Sequence, residues 1–488
     1  MMKDNSYKRN HISYILEEIL KSIKSIFIFF ILAITNLDEG GIYVIIALIL
    51  LSILKAFLKW LNVKFSINNN ELMYHTGLIN KKRFEIPLDK INTIDISRNI
   101  VDRIFNISTL KIDTGAVKEV GEEIKIKVTE KKAYEIRDLI NEVSNNNIKD
   151  NVNLSREYNK NKVSKTITTM EIIKYSLSKS KIFWAIGGLF FIGDIIQNLE
   201  ETLSISITDS VIDNIDIEKV MAVGLFEASL TIIFILIVLY VFISIIYIMF
   251  ELIRLNNFTV TNDKNDIKIK YGLFTIKEYS IPKDKIYAIR YKQNLLQQFF
   301  EIFQIEVITV GYGDEKNEQA ILYPVGDLNF VNSILRPILP SFEFSGEINK
   351  PTKKVLSRFI VMRSIILIVF IIIPLCFFIP NKLLLIKISL ISFLILYNIF
   401  LGYLEYRNTS LGVNKELLVA SSGSNIKITT IIKQEHLQSI EVKENPFQRR
   451  KNVCDFKLDI YSNKIGDIVV VKNLNKILLN NIDKNLIL

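Results

Sequence analysis

The chain has 488 residues, 49% hydrophobic and 23% charged, so length allows about three or four domains and the apolar blocks make a membrane protein the first reading. Mean hydropathy is +0.28. The formal net charge of +10 calls for no nucleic-acid partner, because Lys and Arg gather beside the apolar segments, as they do on the cytoplasmic side of a bilayer.

Residues 1–61 open with Lys3, Lys8 and Arg9 and carry a first apolar hairpin, about Lys21–Leu37 with Gly41–Leu61. It reaches membrane length only if Lys24, Lys55 and Lys59 snorkel to the headgroups. No small-residue cleavage site precedes Asp38 and Glu39, so the segment is expected to stay as a membrane helix. Residues 62–144 switch to strand alternation, as in "VKFSI", "ELMYH", "INTIDI", "TLKID" and "EIKIKV". They end in the helical "TEKKAYEIRDLINEV", with Thr129 as a candidate N-cap. Residues 145–181 read as an Asn- and Lys-rich linker, and 182–254 as a second hairpin, Ile182–Leu199 with Val220–Ile253, around an acidic loop from Glu200 to Glu218. A second strand-rich domain (255–342), a short linker (343–358), a third hairpin (359–405; Phe359–Ile379 with Leu383–Tyr403) and a third such domain (406–488) complete the chain. Lys and Arg bias puts both termini and all three polar domains inside the cell membrane. Cys376 lies in an apolar segment and Cys454 in a polar domain, so the two are not placed to form a disulfide, which suits a reducing cytoplasm.

The polar domains repeat. Gly77, Ile86, Pro87, Ile91 and Asn99 fall without a gap on Gly272, Ile281, Pro282, Ile286 and Asn294. In the third copy the same offsets hold Gly423, Ile432, Lys433, Leu437 and Asn445. The glycines suit a turn with positive φ, the Ile-Pro step a strand entry or edge, and the asparagines a turn cap. Each repeat thus reads as an apolar hairpin followed by several antiparallel strands and one C-terminal helix, a small half-open barrel.

The turn Gly, the "IP" with its following Ile, the run "NIVDRIF" and Thr114–Gly115 resemble the bacterial PH-like domain family, in particular membrane proteins of the YdbS/YdbT type. That resemblance implies six membrane helices, in three hairpins, alternating with three α+β PH-like half-open β-barrels, each closed by a C-terminal helix. It implies no particular ligand. Asn106, Glu301 and Asn452 stand where the family often has Gly, Gln298 replaces the Arg of Arg103 and Arg449, and the Thr-Gly step becomes Thr309 and Val310 in the second copy.

Chemistry is sparse. His11, His75 and His436 are far apart and lack metal-ligand spacing, and no phosphate-binding loop signature occurs, so no catalytic, cofactor or metal residue is expected. Lys81, Lys82 and Arg83, and again Arg449, Arg450 and Lys451, are candidate contacts to lipid phosphates or a partner. The first cluster becomes Ile276, Lys277, Glu278 and Lys427, Ile428, Thr429 in the other copies, which favours a solvated face. Asp194 and Glu227 are the candidate intramembrane polar residues, either reaching the outer interface or forming a shared polar site. The expected function is a non-enzymatic membrane scaffold embedded in the lipid bilayer. The resemblance implies a role in envelope stress or antimicrobial-peptide resistance and a smaller YdbS-like PH-domain membrane protein as partner. The alternative is a transporter or lipid-handling protein that uses Asp194 or Glu227.

Overall fold

The computed structural model describes residues 7–22, 39–68, 71–78, 80–91, 93–113, 124–146, 163–179, 225–263, 265–309, 320–378, 384–460 and 468–478. The chain forms two units, one from Met1–Arg156, Ile167–Phe258 and Lys270–Glu278, the other from Glu157–Thr166, Thr259–Ile269 and Tyr279–Leu488.

Seven described strands make each repeat. The first has β1 (Lys8–Arg9), β2 (Lys64–Ile67), β3 (Glu71–Thr76), β4 (Lys82–Pro87), β5 (Thr93–Arg98), β6 (Ile107–Asp113) and β7 (Ile124–Thr129). The second has β8 (Ser164–Thr166), β9 (Thr259–Asn262), β10 (Asp266–Tyr271), β11 (Ile276–Pro282), β12 (Ile286–Asn294), β13 (Phe303–Thr309) and β14 (Ile321–Gly326). The third has β15 (Ile348–Asn349), β16 (Ser410–Val413), β17 (Leu417–Ser422), β18 (Ile426–Lys433), β19 (Leu437–Lys443), β20 (Val453–Ile460) and β21 (Ile468–Asn475). The first strand of each set lies upstream of an apolar segment and pairs antiparallel with the strand downstream of it: Lys8↔Phe65, Ser164↔Thr261 and Ile348↔Gly412. Each hairpin region therefore leaves and re-enters the polar domain at one point. β8 and β15 lie within 145–181 and 343–358, the stretches read as linkers, which also hold the helix Thr169–Ser178.

In the first unit β1–β4 form one sheet in chain order, and β5 is followed in the strand order by β11, whose first residues belong to this unit. Phe65, Leu72 and Ile86 of the front sheet meet Ile96, Leu110 and Ile126 of the back sheet, and Ala133, Ile136 and Ile140 of the helix Glu130–Asn146 close the same core. Burying each of the larger side chains contributes about 1.5–3 kcal/mol.

In the second unit one sheet runs β14-β13-β12-β18-β17-β16-β15. The back half of the second repeat is thus continuous with the front half of the third, antiparallel from Ala288↔Ile432 through Asn294↔Ile426. β19–β21 form a separate three-stranded sheet, packed through Phe456, Leu458 and Val471 on Leu418 and Ile432. The three expected half-open barrels do not form closed barrels among the described residues, and the second and third repeats share one sheet. A strand edge with unpaired N–H and C=O groups is costly to leave open. Here the next repeat pairs with it, a long-range choice that strand alternation does not encode. The closing helix is present in the first repeat, and in the second the chain is helical from Leu328 to Ile338 with a π turn at Val331–Leu335. In the third repeat only the first residues of that place, Lys476–Leu478, are described, with Leu478 buried against the core.

Among the described residues two helices, not six, are long and apolar enough to cross a membrane: Lys353–Phe377 and Lys387–Asn408. They are joined by an Arg363–Glu405 ion pair at 2.7 Å and by the Asn398 amide donating to Ser364 Oγ at 2.8 Å. Helices Glu39–Asn62 and Leu225–Arg254 are also described, whereas residues 23–37 and Ile182–Leu199 lie outside the described residues.

Candidate functional site at the repeat junctions

The aligned glycines fall in the turn between the third and fourth strands of the first repeat and its equivalents, and the asparagines and arginine positions in the short helix that links the fifth and sixth strands. Gly77, Gly272 and Gly423 have φ of +101°, +109° and +111°. A Cβ at any of them would lie 2.0 Å from the carbonyl oxygen of Asn80, Thr275 or Ile426, so only glycine fits. Asn99, Asn294 and Asn445 each cap a short helix, Ile100–Ile104, Leu295–Phe299 and Pro446–Arg449. Their side-chain oxygens accept from the backbone N–H of Asp102, Gln297 and Gln448 at 2.7, 2.9 and 2.9 Å. These last three side chains accept in return from the capping residue's N–H, which completes the capping box. Asn106, Glu301 and Asn452, where the resembled family often has Gly, lie just past these helices at φ of 52°, 55° and 52°.

The residue after Asp102 or Gln297 reaches the next repeat. Arg103 Nη1 donates to the Leu273 carbonyl at 2.8 Å, and Gln298 Nε2 donates to the Ser424 carbonyl at 2.9 Å. Leu273 and Ser424 each follow a turn glycine, so the two contacts are equivalent and the exchange of Arg for Gln keeps the donor. Asn408 Nδ2 adds bonds to Gln298 Oε1 (2.8 Å) and the Gly423 carbonyl (2.9 Å). Glu278, the counterpart of Arg83, binds Arg137 at 2.7 Å and accepts from the Tyr134 hydroxyl at 3.2 Å. Burial and the Glu278 charge push the Tyr134 pKa up. The charge at this repeat position varies because in the second repeat it answers the repeat before it.

Two of the N3 side chains, Asp102 and Gln448, are also buried in polar networks. Asp102 pairs with buried Lys127 at 2.8 Å, and Lys127 with Glu17 at 2.7 Å. Burial works to raise the Glu17 pKa, but hydrogen bonds from Lys127 and Lys21 outweigh it and hold the carboxyl at about 2. Gln448 donates instead to Asp455 Oδ1 (2.7 Å) and Asn473 Oδ1 (3.1 Å), and Arg358 donates to Asn473 (3.0 Å) and Asn445 (3.2 Å). Sequence reading missed Lys127, which lies in β7 opposite the core-facing Ile126 and Val128. The signal that locates it is remote: Asn10 Oδ1 accepts from the Lys127 N–H at 3.0 Å, so the N-terminal segment covers that face.

Of the expected site residues, Lys81 and Arg83 are exposed and Lys82 half-buried at the start of β4. Arg449 binds Glu444 at 3.2 Å, Lys451 donates to the Lys354 carbonyl at 2.7 Å, and Arg450 is exposed. Lys59, expected to snorkel, pairs with Glu18 at 2.7 Å. Glu227 falls in the first turn of Leu225–Arg254. Asp194 and Thr114–Gly115 lie outside the described residues.

With this geometry in hand, the bacterial PH domain matches three times, over residues 25–144, 218–337 and 364–480. The chain belongs to the bacterial PH domain family. It is also similar to the UPF0699 transmembrane protein YdbT of Bacillus subtilis (strain 168), 23% identical over 475 residues that cover 94% of this chain and 92% of that one. The three bacterial PH domain matches leave out β1, β8 and β15, the strands that precede each apolar segment.

Proposed function

We propose that this protein is a non-catalytic, multi-pass scaffold of the bacterial cell membrane, with six membrane helices, cytoplasmic termini and cytoplasmic PH-like domains. The observation that carries the reading is the β12–β18 ladder. An edge that a solitary PH-like domain leaves open for a peptide or partner is used here to join one domain to the next. The Lys and Arg bias at the apolar ends supports the orientation. A role in envelope stress or resistance to antimicrobial peptides is the biological setting that fits such a scaffold. The test is complementation of a deletion strain challenged with a cationic antimicrobial peptide. Wild-type protein should restore survival, and Thr430→Pro, which places a proline within the β12–β18 ladder, should not. Full rescue by Thr430→Pro at normal membrane abundance contradicts the reading.

A further inference from the structure

The repeat pattern leaves two strands without the neighbour their counterparts have. β12 pairs with β18. β19 is the third-repeat counterpart of β12, and β4 is the first-repeat counterpart of β18. Among the described residues each ends its sheet, β4 in the order β1-β2-β3-β4 and β19 in the order β19-β20-β21. We propose that β19 of one copy pairs with β4 of a second copy, so that the chain associates head to tail. The proposal rests on the scaffold reading, since it uses the same junction between chains that the scaffold uses within one.

Three features of the observed junction carry over. First, the ladder: the β12–β18 register places Ser439 opposite Ile86, Ile440 opposite Glu85, Glu441 opposite Phe84, Val442 opposite Arg83, Lys443 opposite Lys82 and Glu444 opposite Lys81. Pro87, which has no N–H to give, falls just past the last pair. Second, the clasp: Arg449 occupies the place of Arg103 and Gln298, and the carbonyl it would reach is that of Leu78, after the Gly77 turn. Third, charge: Lys81 meets Glu444 directly, and Lys82, although opposite Lys443, has Glu441 as a same-face neighbour. Glu444 now spends its charge on Arg449 and Lys476 at the rim of its own domain. The basic cluster Lys81–Arg83 thus gains an acidic counterpart that no lipid phosphate is needed to supply. Such a contact is heterologous and builds a row or ring of copies.

The test uses full-length protein in native membranes, two differently tagged forms being co-expressed, one with Val442→Cys and one with Arg83→Cys, both lacking Cys376 and Cys454. Oxidation should link the two tags only when both cysteines are present. Glu444→Lys should cut the yield several-fold, and adding Lys81→Glu to the other copy should recover it. Tyr291→Cys with Thr429→Cys, opposite each other within one chain, reports the internal junction. If this pair links while no product joins the two tags, head-to-tail association is overturned and the scaffold reading stands. If neither links, both fail. Capture of a smaller protein by Val442→Cys instead of the second copy also overturns the proposal and assigns the edge to a hetero-partner.

Discussion

Residue by residue, the junction divides into positions readable from local chemistry and positions that are not. Glu301 holds φ of 55°. An L-residue there costs about 1–2 kcal/mol, so Glu301→Gly is expected to raise the thermal midpoint of detergent-solubilised protein by about 1 kcal/mol of stability, while Gly272→Ala lowers it. Lys127 is the contrasting case. Lys127→Met strands the Asp102 carboxylate in the core, and a loss of about 3–5 kcal/mol is expected in chemical denaturation. The pH dependence follows from Glu17, whose carboxyl is lowered from an ordinary 4.5 to about 2. A depressed carboxyl contributes stability above its unfolded pKa and loses it as pH falls through the folded one. Acid unfolding between about pH 4.5 and 2 should therefore be less steep in Glu17→Gln than in wild type, read by intrinsic fluorescence. The turn glycines and capping asparagines were legible because their work is done within three residues. Lys127 was not, because Asn10 and Glu17, which cover it, lie more than a hundred residues upstream.

At the scale of elements, the apolar segments and strand runs were legible from composition and alternation. β1, β8 and β15 were not, since two or three residues carry no period, and their pairing is set by the chain returning from the apolar segment to its starting point. The third hairpin is held by close approach as well as by polar bonds. A Cβ on Gly402 would lie 3.0 Å from Ile360 Cα and 2.9 Å from its Cγ1. Gly402→Leu is expected to lower membrane-protein thermostability by about 1–3 kcal/mol through overpacking, whereas Ser389→Ala, outside that contact, changes it little. Among the apolar-segment carboxylates, Asp194→Asn and Glu227→Gln should leave abundance and peptide resistance unchanged under the scaffold reading. Lost function at normal abundance would favour transport.

At the scale of the molecule, orientation and sheet sharing are the two large claims. With Cys376 and Cys454 removed, an impermeant thiol reagent applied to intact cells should label Ser210→Cys and spare Ser66→Cys, and labelling of Ser66→Cys without lysis would reverse the topology. The three-fold repeat and its family were legible in the register of Gly77, Ile86 and Asn99 with their counterparts. That the repeats share sheets was not, because an edge strand and a central strand can have the same alternation. The most direct measurement is hydrogen exchange of detergent-dispersed monomer, comparing Ile426–Lys433 with Lys82–Pro87. β18 lies between β12 and β17, whereas β4 has one described neighbour. The account predicts that β18 amides exchange far more slowly than those of β4. Equal, rapid exchange in both strands would show that β18 is an open edge like β4, and would contradict it.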